Sequence, residues 1–181
     1  KTFQGTRYAL FAYNPKGKQG GYADFDNFLI DEPLADRLKN IPTGKIITLF
    51  NCGNNTRVYA YPHGILYFKG KGAKEYETED CRFRVHDRGQ GRVVLEAMNG
   101  TGFVTVVGAG LSADVRLIKK ESVGSLFQWR GMLHGQCMLL SLKTNRYVGL
   151  DPATGEPYAA DWTGSSPSRG NGTVFNWNEV K

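Results

Sequence analysis

Trp162 and three carboxylates lie close together near the C-terminus. Asp161 directly precedes the indole, and Asp151 and Glu156 lie a short distance upstream. An aromatic ring can pack against the C–H face of a sugar, while carboxylates accept hydrogen bonds from its hydroxyl groups. These four residues are therefore the predicted carbohydrate-binding site. The alternative is an indole that folds over the edge of the protein and shields the Ser- and Gly-rich segment 165–172.

The other residue types that often do chemistry predict neither a catalytic centre nor a metal site. The histidines His63, His86 and His134 lack the i, i+4 pairing of a helical metal site, and the cysteines lack C-x-x-C spacing. No G-x-S-x-G nucleophile motif occurs. Cys52 and Cys81 have two interpretations, a disulfide bridge or small buried apolar side chains. We therefore expect no catalytic residue, no cofactor and no bound metal.

Composition and charge exclude several classes of protein. With 40% hydrophobic and 22% charged residues, the chain has the composition of a folded domain rather than of a disordered segment. No apolar run is long enough to span a membrane. The net charge of +6 is dispersed, and no arginine-rich run or interleaving of basic and aromatic residues points to nucleic acid. We therefore expect neither a nucleic-acid partner nor a membrane span.

An internal repeat, from about residue 46 to the C-terminus, must position any site. Three segments of roughly 45 residues share one order of short apolar runs separated by Gly, Asn, Asp and Pro. Each segment predicts four strands, of which the third is glycine-centred, as at Gly110-Leu111, and the fourth aromatic. The aligned positions are Leu49, Leu95 and Leu140 in the first strand, Tyr59, Phe103 and Tyr147 in the second, and Phe83, Phe127 and Phe175 in the fourth.

Asn and Gly in the first turn of each segment favour tight hairpins, because both residues tolerate a positive φ. Some of these turn residues also belong to N-x-T sequons, which begin at Asn54, Asn99 and Asn171. The sequons permit glycosylation in a eukaryotic secretory pathway. We favour the interpretation that they are turn sequences.

Three units of four strands resemble the β-trefoil family, in which six strands form a short barrel and six form a hairpin cap. The segments Phe127-Gln128-Trp129 and Phe175-Asn176-Trp177 are similar to the fourth strand of fascin-like trefoils. The resemblance implies an all-β fold. It assigns residues 45–181 to a β-trefoil domain with the aligned aromatic residues in its core.

The first 44 residues lie outside the repeat. Residues 1–31 predict two strands with a long connector, and residues 32–44 predict a short helix and a linker. Gly5–Phe11 and Gly20–Phe28 resemble the last two strands of the C-terminal β-sandwich of glycoside hydrolase family 43, which includes β-xylosidases and α-L-arabinofuranosidases. The resemblance implies a C-terminal piece of a larger glycosidase. The catalytic propeller would lie upstream, so this chain itself would not be an enzyme.

Together these features predict a non-catalytic carbohydrate-binding module. It would hold the upstream catalytic domain of the same chain near a plant cell-wall polysaccharide such as arabinoxylan. The expected location is secreted, periplasmic or at the cell surface. Two alternatives stay open at this point. The trefoil could brace the neighbouring domain without any ligand, or the chain could be a secreted binder of anionic glycans similar to fibroblast growth factors.

Overall fold

A computed structural model describes residues 41–61, 66–69, 78–132, 135–159 and 169–181. The chain divides into two compact units, Lys1–Pro33 and Leu34–Lys181, and all described residues belong to the second unit. The predicted strands of residues 1–31 and most of the predicted helix and linker of residues 32–44 therefore lie outside the described residues. At the end of that linker, Ile41 packs against the hydrophobic core.

Short antiparallel strands make up nearly all regular structure in the described residues. The strands are β1 (Ile46–Asn51), β2 (Arg57–Ala60), β3 (Leu66–Lys69), β4 (Phe83–Asp87), β5 (Arg92–Ala97), β6 (Gly102–Val107), β7 (Asp114–Ile118), β8 (Phe127–Gly131), β9 (Cys137–Ser141), β10 (Arg146–Tyr147), β11 (Gly149–Leu150), β12 (Pro157–Tyr158) and β13 (Phe175–Glu179). Asn55, Gly100 and Asn145 adopt positive φ in the turns after β1, β5 and β9. The prediction of tight turns at these places is confirmed.

Six of the strands close into a barrel. Around the ring, β1 pairs with β13, β13 with β9, β9 with β8, β8 with β5, β5 with β4, and β4 with β1. Three further pairs form hairpins beside the barrel, namely β2 with β3, β6 with β7 and β11 with β12. Closure leaves the barrel strands without an exposed edge, which protects them from pairing with other chains.

The barrel interior is filled by residues that recur around the ring. Phe83, Phe127 and Phe175 are buried, and their cross-strand partners are Ile47, Val93 and Cys137, which are buried as well. Further inside, Leu49, Leu95 and Leu139 meet Val58, Val104 and Val148 around a small apolar cavity of about 20 Å³. One residue from each segment thus contributes to every layer of the core.

The register corrects two alignments made from the sequence. Leu139 rather than Leu140 is the buried counterpart of Leu95, because Leu140 is half-buried and successive strand residues point to opposite faces. In the second strand, the observed partners are Phe50 with Arg57, Glu96 with Phe103 and Leu140 with Tyr147. The counterpart of Phe103 and Tyr147 is therefore Arg57. Tyr59 is buried, whereas Phe103 and Tyr147 are only half-buried and do not belong to the central core.

The third strands lie further along the chain than the sequence predicts. Gly110 begins a single 3-10 turn that ends at Ser112, and the strand itself is Asp114–Ile118. Gly110 has a φ of +57°, a left-handed conformation that ends rather than extends a strand. In the first segment the strand is Leu66–Lys69, and the preceding predicted positions lie outside the described residues.

The corrected register can be tested with neighbouring leucines. We expect Leu139→Ala to lower the free energy of unfolding by about 2–5 kcal/mol, because it enlarges a cavity in the core. Leu140→Ala should cost about 1 kcal/mol or less, because that side chain is half-buried. Chemical denaturation measures both values. A larger loss of stability for Leu140→Ala than for Leu139→Ala would show that Leu140, as aligned from the sequence, is the core residue.

Candidate functional site

The β11–β12 hairpin and the segment 169–173 enclose an open pocket of about 580 Å³, which we call the hairpin pocket. Its volume lies within the usual range for small-molecule sites. The lining residues that matter for recognition are Asp151, Pro152, Glu156, Pro157, Tyr158 and Asn171. Two carboxylates, one phenol ring and two proline rings thus face a common space, which is a suitable mixture for a ligand with both hydroxyl groups and C–H faces.

Asp151 and Glu156 differ in their hydrogen bonding within the hairpin loop. Oδ1 of Asp151 accepts hydrogen bonds from the backbone nitrogens of Ala153 (2.7 Å) and Thr154 (3.1 Å). The Asp151 backbone nitrogen in turn donates to the Glu156 carbonyl at 2.9 Å. Asp151 therefore shapes the turn, whereas Glu156 is exposed, and its carboxylate has no hydrogen-bond partner within the part of the chain that the structure describes.

Tyr158 forms the wall between the hairpin and segment 169–173. It pairs with Gly149 across the hairpin, and its ring lies so close to the Gly149 backbone that a Cβ atom at position 149 would overlap it. The Tyr158 hydroxyl donates a hydrogen bond to the carbonyl of Asn171. The ring is thus fixed at both ends, and its position in the pocket is set before any ligand arrives.

Asn51 at the end of β1 anchors segment 169–173. The residue is fully buried; its Nδ2 donates to the Gly172 carbonyl at 2.9 Å, and its Oδ1 accepts from the Gly53 backbone nitrogen at 2.7 Å. Gly172 has a φ of +80°, and a Cβ atom there would overlap the carbonyl oxygen of Leu150. A glycine is required where this loop approaches the barrel.

The structure brings together two of the four residues predicted for the sugar site. Asp151 and Glu156 line the same pocket, whereas Asp161 and Trp162 lie outside the described residues, so their roles stay predictions. Sequence reasoning missed Tyr158 and Asn171 as site residues. Only the hairpin register, in which Tyr158 pairs with Gly149, shows that Tyr158 belongs to the pocket wall.

The three cysteines are free thiols. Cys81 and Cys137 are buried in the core, and Cys81 Sγ lies 3.1 Å from the Thr78 carbonyl. Of the two interpretations given for Cys52 and Cys81, the small buried side chain is correct for Cys81, Cys52 is half-buried, and the bridge between them is wrong. Burial raises the pKa of the Cys137 thiol well above its usual value, so this thiol stays protonated and unreactive at neutral pH.

The Asn residues of the three sequons each close the same local turn. Oδ1 of Asn54, Asn99 and Asn171 accepts hydrogen bonds from both the backbone nitrogen and the hydroxyl of the Thr two residues later. Nδ2 of Asn99 also donates to the Ala60 carbonyl (2.7 Å), and Nδ2 of Asn54 donates to the Pro152 carbonyl (3.0 Å). This geometry supports the interpretation that the sequons are turn sequences.

Outside the hairpin pocket, one contact in the described residues pairs a histidine with a carboxylate. His86 Nε2 lies 2.7 Å from Glu96 Oε2 in a half-buried cross-strand contact. Among the described residues, no group of three or more His, Cys, Asp or Glu side chains is arranged to hold a metal ion. Within the same residues, no helix has the length and apolar character needed to cross a membrane.

The structure is similar to that of a designed 3-fold symmetric protein, ThreeFoil, with a TM-score of 0.61. The match covers 75% of this chain and 99% of that chain, at 12% sequence identity. The fold is β-trefoil-like. At such low identity the likeness shows the fold alone. No family model and no curated protein sequence matches this chain, so the relationship of the N-terminal segment to glycoside hydrolase family 43 stays a prediction.

The anchoring role of Asn51 in this trefoil-like fold is testable by Asn51→Ala. We expect a loss of about 1–3 kcal/mol in the free energy of unfolding, because the buried carbonyl of Gly172 loses the hydrogen bond that the Asn51 side chain donates to it. The exposed Asn178, on the neighbouring strand β13, provides the control, and Asn178→Ala should change stability by less than about 0.5 kcal/mol. Thermal or chemical denaturation measures both. Equal stabilities would show that the loop does not depend on Asn51.

Proposed function

We propose that this chain is a non-catalytic carbohydrate-binding module and that the hairpin pocket is its sugar site. The observation that carries the proposal is the combination of the exposed Glu156 carboxylate with the fixed Tyr158 ring in one open pocket. A carboxylate accepts hydrogen bonds from hydroxyl groups, and a ring and two prolines supply apolar surface for sugar C–H groups. An open pocket of this type favours weak binding, because little surface is buried to offset the cost of association.

The charge of the pocket favours a neutral sugar. Asp151 and Glu156 both contribute negative charge, and like charges across a binding surface oppose association. A glycan rich in sulfate or carboxylate groups is therefore a poor partner for this pocket. Neutral plant cell-wall polysaccharides such as arabinoxylan fit better, since they offer hydroxyl groups without charge.

The alternative of an anionic-glycan binder needs basic side chains that converge on one face. In the described residues, several basic side chains are instead paired with carboxylates: Lys45 with Glu179 at 2.6 Å, Arg88 with Glu121 at 2.8 Å, and Arg116 with Asp114 at 2.8 Å. These contacts lower the positive charge available to an anionic ligand. The other alternative is a bracing domain without a ligand. It does not require a pocket, and it is favoured if no glycan binds.

The wider context is part of the same proposal. We infer an all-β chain of three four-stranded repeats over residues 45–181, preceded by two strands of a β-sandwich in residues 1–31 and a helix and linker in residues 32–44. The family-43-like motifs in the first segment support a parent glycosidase of the xylosidase or arabinofuranosidase type, with its catalytic domain upstream as the intramolecular partner. A protein acting on plant polysaccharide would be secreted, periplasmic or at the cell surface.

Glu156→Ala tests the sugar site. We expect retention on arabinoxylan to fall about tenfold, because one hydrogen bond from a hydroxyl group to a charged acceptor is lost. The melting temperature should be unchanged, since Glu156 is exposed. Affinity electrophoresis in gels that contain soluble arabinoxylan measures the retention.

Glu79→Ala is the matched control, because Glu79 is also exposed but lies in the 3-10 turn before β4, away from the hairpin pocket. It makes the same change in net charge. Equal retention of the two variants, or no retention of the unmodified protein, would contradict the assignment. The second result would favour the bracing domain.

A further inference from the structure

A second pocket lies where the first and last barrel strands meet, and we call it the seam pocket. It has a volume of about 390 Å³ and is lined by Phe50, Asn55, Gly135, Asn176, Trp177 and Asn178. Phe50 of β1 pairs directly with Asn176 of β13, and Asn178 lies two residues further along the same face. The amides of Asn176 and Asn178 and the Phe50 ring therefore share one surface of the β1–β13 pair, whereas Trp177 pairs with Leu49 on the opposite face.

The two aromatic residues of the seam pocket are held in place by packing. Trp177 is partly buried against the core, and its ring meets the Trp129 ring edge-on, with centroids 6.2 Å apart and planes at 74°. The Arg57 guanidinium lies 5.1 Å from the centre of the half-buried Phe50 ring. Trp177 thus fixes the strand from the core side, and the Phe50 ring, already ordered, loses little conformational entropy when a ligand packs against it.

The polar groups of the seam pocket are three asparagine amides. Within the described part of the chain, the side chains of Asn55, Asn176 and Asn178 have no hydrogen-bond partner. Each amide offers two donors and one acceptor oxygen, which matches a hydroxyl group that both donates and accepts. None of the described lining residues is charged, and the Arg57 guanidinium beside the Phe50 ring is a further hydrogen-bond donor for a hydroxyl group. The chemistry is therefore that of a site for a neutral, hydroxyl-rich ligand.

The seam pocket and the hairpin pocket adjoin at the turn between β1 and β2. Asn54 Nδ2 donates to the carbonyl of Pro152, a residue that lines the hairpin pocket. The next residue, Asn55, lines the seam pocket. Adjacent residues in a chain are about 3.8 Å apart, so a single turn connects the two pockets and fixes their separation.

We propose that the seam pocket is a second carbohydrate subsite, which binds a further neutral sugar residue or side branch of the same polysaccharide that occupies the hairpin pocket. The proposal rests on the sugar-binding function assigned to the hairpin pocket. Occupation of two connected subsites by one chain makes the second contact intramolecular, which raises the overall affinity without a new type of interaction. Affinity should therefore depend on the length of the oligosaccharide.

The variant Asn55→Gly/Asn178→Ala tests this subsite in the full chain. Glycine preserves the positive φ of 55° at position 55, and Asn178 is exposed, so both changes remove amides without disturbing the core. Asn145→Gly is the matched control. Asn145 is exposed, has a φ of 54° in the equivalent turn after β9, and lines neither pocket.

The measurement is calorimetric titration with neutral arabinoxylan fragments of increasing length. For the unmodified protein and for Asn145→Gly, we expect affinity to rise with length. The double variant should bind short fragments as the unmodified protein does but lose about tenfold in affinity for long ones. Glu156→Ala should weaken binding at every length.

The outcomes separate the two proposals. If Glu156→Ala weakens binding while the double variant matches the unmodified protein at every length, the seam pocket is not a subsite, and the hairpin pocket stands. If the unmodified protein binds no fragment, both assignments are wrong. If the double variant loses affinity for long and short fragments alike, the seam pocket is the primary site rather than the second one.

Discussion

The pairing of β1 with β13 is the interaction on which the rest of the structure depends. Five consecutive residue pairs, from Ile47 with Glu179 to Asn51 with Phe175, join the two ends of the domain and complete the barrel. The Val180 backbone nitrogen extends the ladder by donating to the Ile46 carbonyl at 2.9 Å. Because these strands are far apart in sequence, their contact carries a high cost in loop-closure entropy and makes folding depend on non-local contacts.

The same pairing also positions both candidate pockets. At the Phe175 end, Asn51 and Cys52 hold the segment before β13 through the carbonyls of Gly172 and Val174, and this segment forms one side of the hairpin pocket. Along the pair itself, Phe50 and Asn176 line the seam pocket. Both pockets thus consist of exposed and half-buried side chains on a closed scaffold, an arrangement in which binding residues can be polar without disturbing the core.

The sequence predicts the local features of this structure well and the long-range ones poorly. The turn conformations at Asn55 and Asn145 follow from residue type alone, and the buried Phe127 follows from the repeat. The sequence could not show whether Leu139 or Leu140 faces the core, because both are leucines and only the strand register decides between them. The equivalence of Arg57 and Phe103 was missed, because the aromatic residue expected at this position is replaced by an arginine. Its guanidinium packs over the ring of Phe50.

Site prediction has the same limit. Asp151 and Glu156 were found because one hairpin loop contains both, so proximity in sequence implied proximity in space. The seam pocket combines Asn55 with Asn176, two residues that come together only when the barrel closes. Its asparagine amides carry no motif and no spacing that a reader of the sequence could recognise.

Backbone amide chemical shifts, followed during titration with a soluble arabinoxylan fragment, test the central claim that the hairpin pocket and the seam pocket bind the ligand while the core stays fixed. The account predicts shifts at the two pockets, on Asn55, Glu156, Tyr158 and Asn178, and unchanged signals for core residues such as Leu95 and Val104. Shifts confined to the β6–β7 hairpin, or spread through the core, would contradict it.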